Sequence, residues 1–198
     1  MRSQSCSADC CMPKHLKKLS EEVLHQNPWW TYKHDTYEKP NGETGDYYYA
    51  VLPGNSIIIP VLSDGRLILT LQYRYITEKM SIEFPCGGRH DTEATALDTA
   101  KAELLEETGF TAHEFIHIGT FQALNGVVDD ESHVFLAHIQ EQGAPQPDDT
   151  EEIEILYRKP EEVDEMIRRN EIWDGQTMAA WAMAHHHFLH KEKMVDES

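Results

Sequence analysis

Positive charge is scarce in this sequence: 17 lysines and arginines stand against 35 aspartates and glutamates, a formal net charge of −18. So acidic a surface repels nucleic-acid backbones and anionic membranes, and neither is an expected partner. An anionic substrate would need a cation to mediate, and a divalent metal held by carboxylates is the natural one. Long apolar runs are missing too. The longest is Ile57-Ile58-Ile59-Pro60-Val61-Leu62, far short of the ~20 residues that cross a bilayer. The first 25 residues hold no continuous apolar stretch, so no secretory signal is read there and a cytoplasmic location is expected. Cysteine is sparse, with Cys6, Cys10 and Cys11 crowded near the start and Cys86 alone. No histidine stands at zinc-finger spacing beside them; with no secretory signal read, reduced thiols are expected, a metal or redox role of the cluster being the alternative.

What remains is globular in composition, 40% hydrophobic and 26% charged over 198 residues, enough for one domain with an appendage. Residues 1–26 read as a tail followed by a short helix from Pro13 to Gln26, with Leu16, Leu19, Val23 and Leu24 among charges and Ser20 as a possible cap. Residues 27–54 read as a β-hairpin: strands Trp29–His34 and Tyr47–Leu52 flank the turn signal Asn41-Gly42. The rest, 55–198, reads as the main domain. Residues 56–62 suit a buried strand, and Arg66–Tyr75 alternates, with Leu67, Leu69, Leu71, Tyr73 and Tyr75 on one face. A helix from about Ala94 to Glu107 ends at Gly109. Strand-like stretches follow at Thr111–Leu124, His133–Ile139 and from Ile153. Two further helices start at Pro160 and Asp174. The pattern is α+β or α/β, with helices flanking mixed sheets.

The chemistry lies in Glu103, Glu106 and Glu107. At i, i+3 and i+4 they occupy one face of a helix, with Leu97 and Leu104 on the adjoining face to anchor it. Crowded like charges destabilise a helix unless a cation lies between them. A solvated acidic face is the plain alternative. The Gly87-Gly88 loop before the helix argues for an ion, because it lets a backbone carbonyl approach. Ligands that are all oxygen suit Mg²⁺ or Mn²⁺.

The segment from Gly88 to Glu103-Leu104-Leu105-Glu106-Glu107-Thr108-Gly109-Phe110 resembles the Nudix box: G, five residues, E, seven residues, R-E-U-x-E-E-x-G-U, where U is aliphatic or aromatic. Its second half matches throughout, while the first box Glu falls on Ala94 and the box Arg on Ala102. A second register, anchored on Gly87, puts Glu93 and Lys101 at those positions but adds a residue before Glu103. The first register is preferred, because a helix fixes the three glutamates relative to Gly109. Outside the box, several segments resemble the ADP-ribose and nucleoside-diphosphate-sugar pyrophosphatases of that family. They are Asn27-Pro28-Trp29-Trp30, Gln72-Tyr73-Arg74-Tyr75, Ile82-Glu83-Phe84-Pro85, Asp129 to Ala137, Glu151 to Ile155, and Asn170 to Thr177.

The resemblance implies an α+β fold, a Nudix α/β/α sandwich with mixed sheets and an N-terminal β-hairpin extension that serves a homodimer. It implies metal-dependent hydrolysis of the pyrophosphate bond of ADP-ribose or a related nucleoside-diphosphate sugar. Glu103, Glu106 and Glu107 would hold Mg²⁺ (or Mn²⁺), with the Gly87 carbonyl as a further ligand. Arg74 is either a phosphate clamp or a surface ion pair. Glu151 matches the position of a catalytic base, with Glu152 close by and an ordinary acidic loop as the alternative. Trp30 either stacks on a nucleobase or packs in a core or dimer interface. The run His185-His186-His187 with His190 reads as a half-exposed helix face rather than a metal site. Two other functions stay open: a silent nucleotide-sugar sensor, for which Ala94 and Ala102 speak, and a hydrolase of nucleoside triphosphates.

Overall fold

Six consecutive buried residues, Ser56 to Val61, form the middle of the molecule's larger sheet. A strand buried on both faces carries such an unbroken run because each face has its own core to fill. The computed structural model describes residues 16–89, 93–142 and 152–188. In chain order the strands are β1 (Lys17–Gln26), β2 (Thr31–Glu38), β3 (Thr44–Val51), β4 (Asn55–Val61), β5 (Leu67–Arg74), β6 (Lys79–Glu83), β7 (Cys86–Gly88), β8 (Phe110–Phe121), β9 (Val128–Asp129), β10 (Ser132–Gln142) and β11 (Glu154–Arg158). The helices are α1 (Ala96–Thr108), α2 (Pro160–Arg168) and α3 (Gly175–Ala184), the last running into a 3₁₀ turn at His185–His187.

The chain divides into two compact units. One comprises Met1–Leu52 with Leu124–Asp129, the other Pro53–Ala123 with Asp130–Ser198. In the second, the sheet order is β11-β5-β4-β10-β8, with β6 added to β5 and β7 to β4. β10 runs parallel to β4, whereas β8, β11, β6 and β7 pair antiparallel, so the sheet is mixed. The expected alternation of β5 holds. Leu67 and Leu69 join Ile57, Ile59 and Val61 against Val163 and Met166 of α2 and Ala180, Trp181 and Ala184 of α3. Ile68 joins Ile58, Phe135 and Ala137 against Ala100 and Leu104 of α1 on the opposite face. Helices on both faces of a mixed sheet make the expected α+β sandwich.

The first unit is a four-stranded sheet in the order β1-β2-β3-β9. The hairpin of β2 and β3 is present, with Gly42 in the turn at φ 84°. The helix expected up to Gln26 is not. Lys17–Gln26 is a strand paired antiparallel with β2. Register shifts between Lys18 and Ser20 and between Val23 and His25 take Leu19 and Leu24 out of step. Such bulges break the two-residue alternation, and the apolar spacing that results imitates a helix. Ser20 caps nothing; its hydroxyl meets that of Thr36 at 2.7 Å. Among the described residues no helix is long and apolar enough to cross a membrane.

Candidate active site

Both ends of α1 are fixed by local chemistry. At the start, the Thr95 hydroxyl accepts the Asp98 N–H at 3.2 Å and the Asp98 carboxylate accepts the Thr95 N–H at 3.1 Å, a reciprocal capping box. Ser56 of β4 donates its hydroxyl to the Ala96 carbonyl at 2.7 Å, tying that end to the sheet. At the finish, Gly109 adopts φ 72° and its N–H returns to the Leu105 carbonyl. The left-handed conformation is one that glycine enters without cost from a Cβ. With Leu104 and Ala100 in the core, the acidic face is held in one orientation. Glu107 is 5% exposed, Glu103 is half-buried and Glu106 faces solvent.

β7 brings the glycine loop to that face. Gly87 is registered against Ser56 of β4, and a Cβ added to it would run into the Glu103 carboxylate. Its backbone and that carboxylate therefore share one spot, which only a residue without a side chain allows.

Two more charged groups complete the neighbourhood. Glu83, at the end of β6, is 5% exposed. Arg74, at the end of β5, grips it with two teeth, Nε to Oε1 at 2.7 Å and Nη2 to Oε2. These bonds push the arginine's pKa up, and the nearby Glu107 charge adds to them. Burial pushes the Cys86 thiol well above its ordinary value, and Glu107, Glu83, Glu103 and Asp174 raise it further. Four carboxylates thus bear on one point. Among the described residues no three His, Cys, Asp or Glu side chains already stand together as a metal-holding group. The donors nevertheless fit a hard divalent ion in kind: carboxylates in negative excess, on rigid elements, next to a backbone that a side chain would block.

The first turn of α3 secures this loop from the other side. Asp174 caps the helix by accepting the Thr177 N–H at 2.7 Å. The Thr177 hydroxyl accepts the Phe84 N–H at 3.1 Å, and Thr177 is buried. The Gln176 side-chain oxygen accepts from Asn55 Nδ2 at 3.4 Å and from the Cys86 thiol at 3.6 Å. Trp173 Nε1 donates to the Met80 carbonyl at 3.3 Å. Glu83, Gln176 and Thr177 lie in segments that carry the family resemblance, but the sequence assigns them no individual role. The N-cap pattern Asp174-Gly175-Gln176-Thr177 was readable, but nothing in it names a partner more than ninety residues away.

The structure therefore brings together Gly87, Glu103, Glu107 and Arg74 among the residues expected at the site, with Glu106 on the same helix but facing solvent. Glu151 lies outside the described residues; its neighbour Glu152 is exposed. Trp30 belongs to the first unit, partly exposed and tilted against His25 with ring centroids 5.4 Å apart. Ala102 is exposed. A different arginine braces the loop, for Arg89 donates from Nε and Nη2 to the Pro53 carbonyl at 3.2 and 3.0 Å. Of the histidine run, His185–His187 form the 3₁₀ turn with none buried, and His190 lies outside the described residues.

Known proteins share this architecture. The chain is 30% identical over 174 residues to the ADP-ribose pyrophosphatase of Bacillus subtilis (strain 168), covering 83% of this chain and 92% of that one. It is 29% identical over 148 residues to the CMP-5'-(N-acetyl-N-hydroxy-3-aminopropyl)phosphonate hydrolase of Streptomyces rubellomurinus (strain ATCC 31215), covering 75% and 71%. A crystal structure of an ADP compounds hydrolase superposes with a TM-score of 0.76 at 17% identity, covering 88% of this chain and 95% of that one, and it shares the fold. The family model described as the NUDIX domain matches residues 51–181, from the end of β3 through most of α3, and on that span the chain belongs to the NUDIX family.

Proposed function

We propose that the protein hydrolyses the pyrophosphate bond of ADP-ribose or a related nucleoside-diphosphate sugar, giving a nucleoside monophosphate and a sugar phosphate. One observation carries this reading. A buried glutamate, Glu107, and a second, Glu103, laid on the Gly87 backbone, lie near a paired arginine at the end of strand β5. Similarity to an ADP-ribose pyrophosphatase over most of both chains supports the substrate class.

Nudix pyrophosphatases generally need a divalent metal. Here Glu103, Glu106, Glu107 and the Gly87 carbonyl would hold Mg²⁺, or Mn²⁺ in its place. The ion would supply positive charge against the two charges of the pyrophosphate, and Lewis acidity to activate water. Arg74 would bind a phosphate oxygen through its guanidinium, which matches phosphate geometry. Glu151, or Glu152 beside it, would take a proton from the attacking water. As water adds to phosphorus, the anhydride P–O bond breaks and its oxygen leaves with the departing phosphate. Trp30 is the proposed nucleobase platform. The hairpin of residues 27–54, to whose sheet β1 adds a strand, is the extension before the Nudix domain through which we propose a homodimer. A cytoplasmic location is part of this reading, and the absence of nucleic-acid or membrane partners accords with the net charge of −18.

Ala94 and Ala102 favour the second reading, a domain that binds a nucleotide sugar without cleaving it. Chromatography of products from ADP-ribose, ADP-glucose, GDP-mannose and ATP separates the two. Each is incubated with Mg²⁺, with EDTA and with the Glu107→Gln variant. Metal-dependent AMP release from ADP-ribose, lost in the variant, is expected. Saturable binding without turnover would leave the sensor.

A further inference from the structure

The pair of Glu83 and Arg74 is lopsided. The Glu83 side chain is 6% exposed and that of Arg74 44%, so the carboxylate faces inward and the guanidinium faces the open side. Stability alone is a weak reason for such a pair, since burying a carboxylate costs several kcal/mol and apolar replacements are often neutral. Geometry supplies a better one. Glu83 takes the edge of the guanidinium formed by Nε and Nη2. Among the described residues no protein hydrogen bond uses Nη1, and the Arg74 side chain keeps 44% of its surface exposed. The carboxylate's own position is fixed through its strand. Thr70 donates its hydroxyl to the Glu83 carbonyl at 3.3 Å, and the next residue, Phe84, is held by Thr177.

We propose that Glu83 is a positioning residue for substrate: it holds Arg74 by one edge so that the other edge meets a phosphate oxygen beside Glu103 and Glu107. The proposal rests on the reading of the protein as a nucleoside-diphosphate-sugar pyrophosphatase and deepens it. An unheld arginine side chain loses rotamer freedom when it binds phosphate. Here that entropy is already lost in the free protein, so less of the charge-assisted bond is spent on ordering.

The test measures two quantities on wild type, Glu83→Gln, Arg74→Lys and the double variant. One is binding of α,β-methylene ADP-ribose without metal, by calorimetry; the other is ADP-ribose turnover across a range of Mg²⁺ concentrations. Gln keeps the volume of Glu, and Lys keeps a cation beside Glu83, so both singles are chosen to fold; thermal melts check this. The expected result is a loss of binding of roughly tenfold in each single variant, the worth of one charge-assisted bond. The double variant should be no worse than either, with the turnover loss in KM rather than kcat. Wild-type binding by Glu83→Gln overturns the proposal. So does a loss that persists in the Arg74→Lys background and is rescued by Mg²⁺, which would place Glu83 at the metal instead. A wild type that binds the analogue but cleaves nothing defeats the hydrolase reading while the binding arm still decides on Glu83. A wild type that does neither overturns both.

Discussion

Strands β4 and β1 are held in opposite ways. Every β4 residue from Ser56 to Val61 is buried, and its two faces feed two separate cores. All ten residues of β1 are exposed. It is kept in place by its ladder to β2 and by an ionic mesh. Lys18 lies 2.7 Å from both Asp35 and Glu21, and Lys33 lies 2.8 Å from Glu21. Apolar burial stabilises by about 25 cal/mol per Å², whereas an exposed ion pair contributes roughly 0–1 kcal/mol. The proposed chemistry lies where the first mechanism operates. Acids proposed to share one ion would need a platform that does not shift, and α1 offers one because Leu104 and Ala100 anchor it. The first unit leaves Leu19, Val23, Leu24 and Trp29 exposed.

The largest expected contrast is in stability. Leu69→Ala, at a fully buried site, should cost about 2–5 kcal/mol; Val23→Ala should stay within about 0.5 kcal/mol. Urea unfolding, followed by hydrogen exchange in each unit, measures both. If Val23→Ala costs as much as the core change, β1 is covered in solution and the contrast fails. Sedimentation would then be expected to show the proposed homodimer. The next effect is on activity. Gly87 is not left-handed, so Gly87→Ala leaves the backbone unstrained and acts through collision with Glu103. Displacing that carboxylate should cut ADP-ribose turnover by roughly 10²-fold with little change in Tm. Unchanged turnover would remove Gly87 from the site. Smaller again, Thr177→Val leaves the Phe84 N–H without its acceptor and should cost about 1–3 kcal/mol, read by the same urea curves.

The same contrast explains which parts were legible in the sequence. Strands β4 and β5 were readable because burial writes itself into sequence as apolar runs and alternation. The acids of α1 were readable because helical spacing and the closing Gly109 locate them together. β1 was misread because its partners are ionic and its two bulges disrupt the period, so the pattern available locally was that of a helix. The clamp from Thr177 and Gln176 onto Phe84 and Cys86 was invisible for a different reason. A hydrogen bond across ninety residues depends on topology, and one side chain cannot announce which loop it will meet. The partner of Arg74 was hidden likewise: Glu83 is nine residues away, and it takes the hairpin of β5 and β6 to bring the two to one face.

The finest test of the contrast is acid. Hydrogen bonds from Lys18 and then Lys33 pull the Glu21 carboxyl from its ordinary 4.5 down to about 2. The same mesh pushes Lys18 upward, chiefly through Asp35 and Glu21. For a carboxyl whose folded value is depressed, the folded state binds fewer protons than the unfolded one. Its contribution is therefore fully present above about pH 4.5 and is lost as pH falls towards 2. An NMR titration should show the Glu21 carboxyl carbon moving with a midpoint near 2, with the Ser20 and Glu22 amides following it. Salt near 1 M, where the screening length is about 3 Å, should move that midpoint upward. The backbone amides of β4, whose environment contains no such mesh, should be indifferent to both treatments until the whole unit unfolds. A Glu21 midpoint at 4.5 in low salt would mean that β1 is held by its ladder alone.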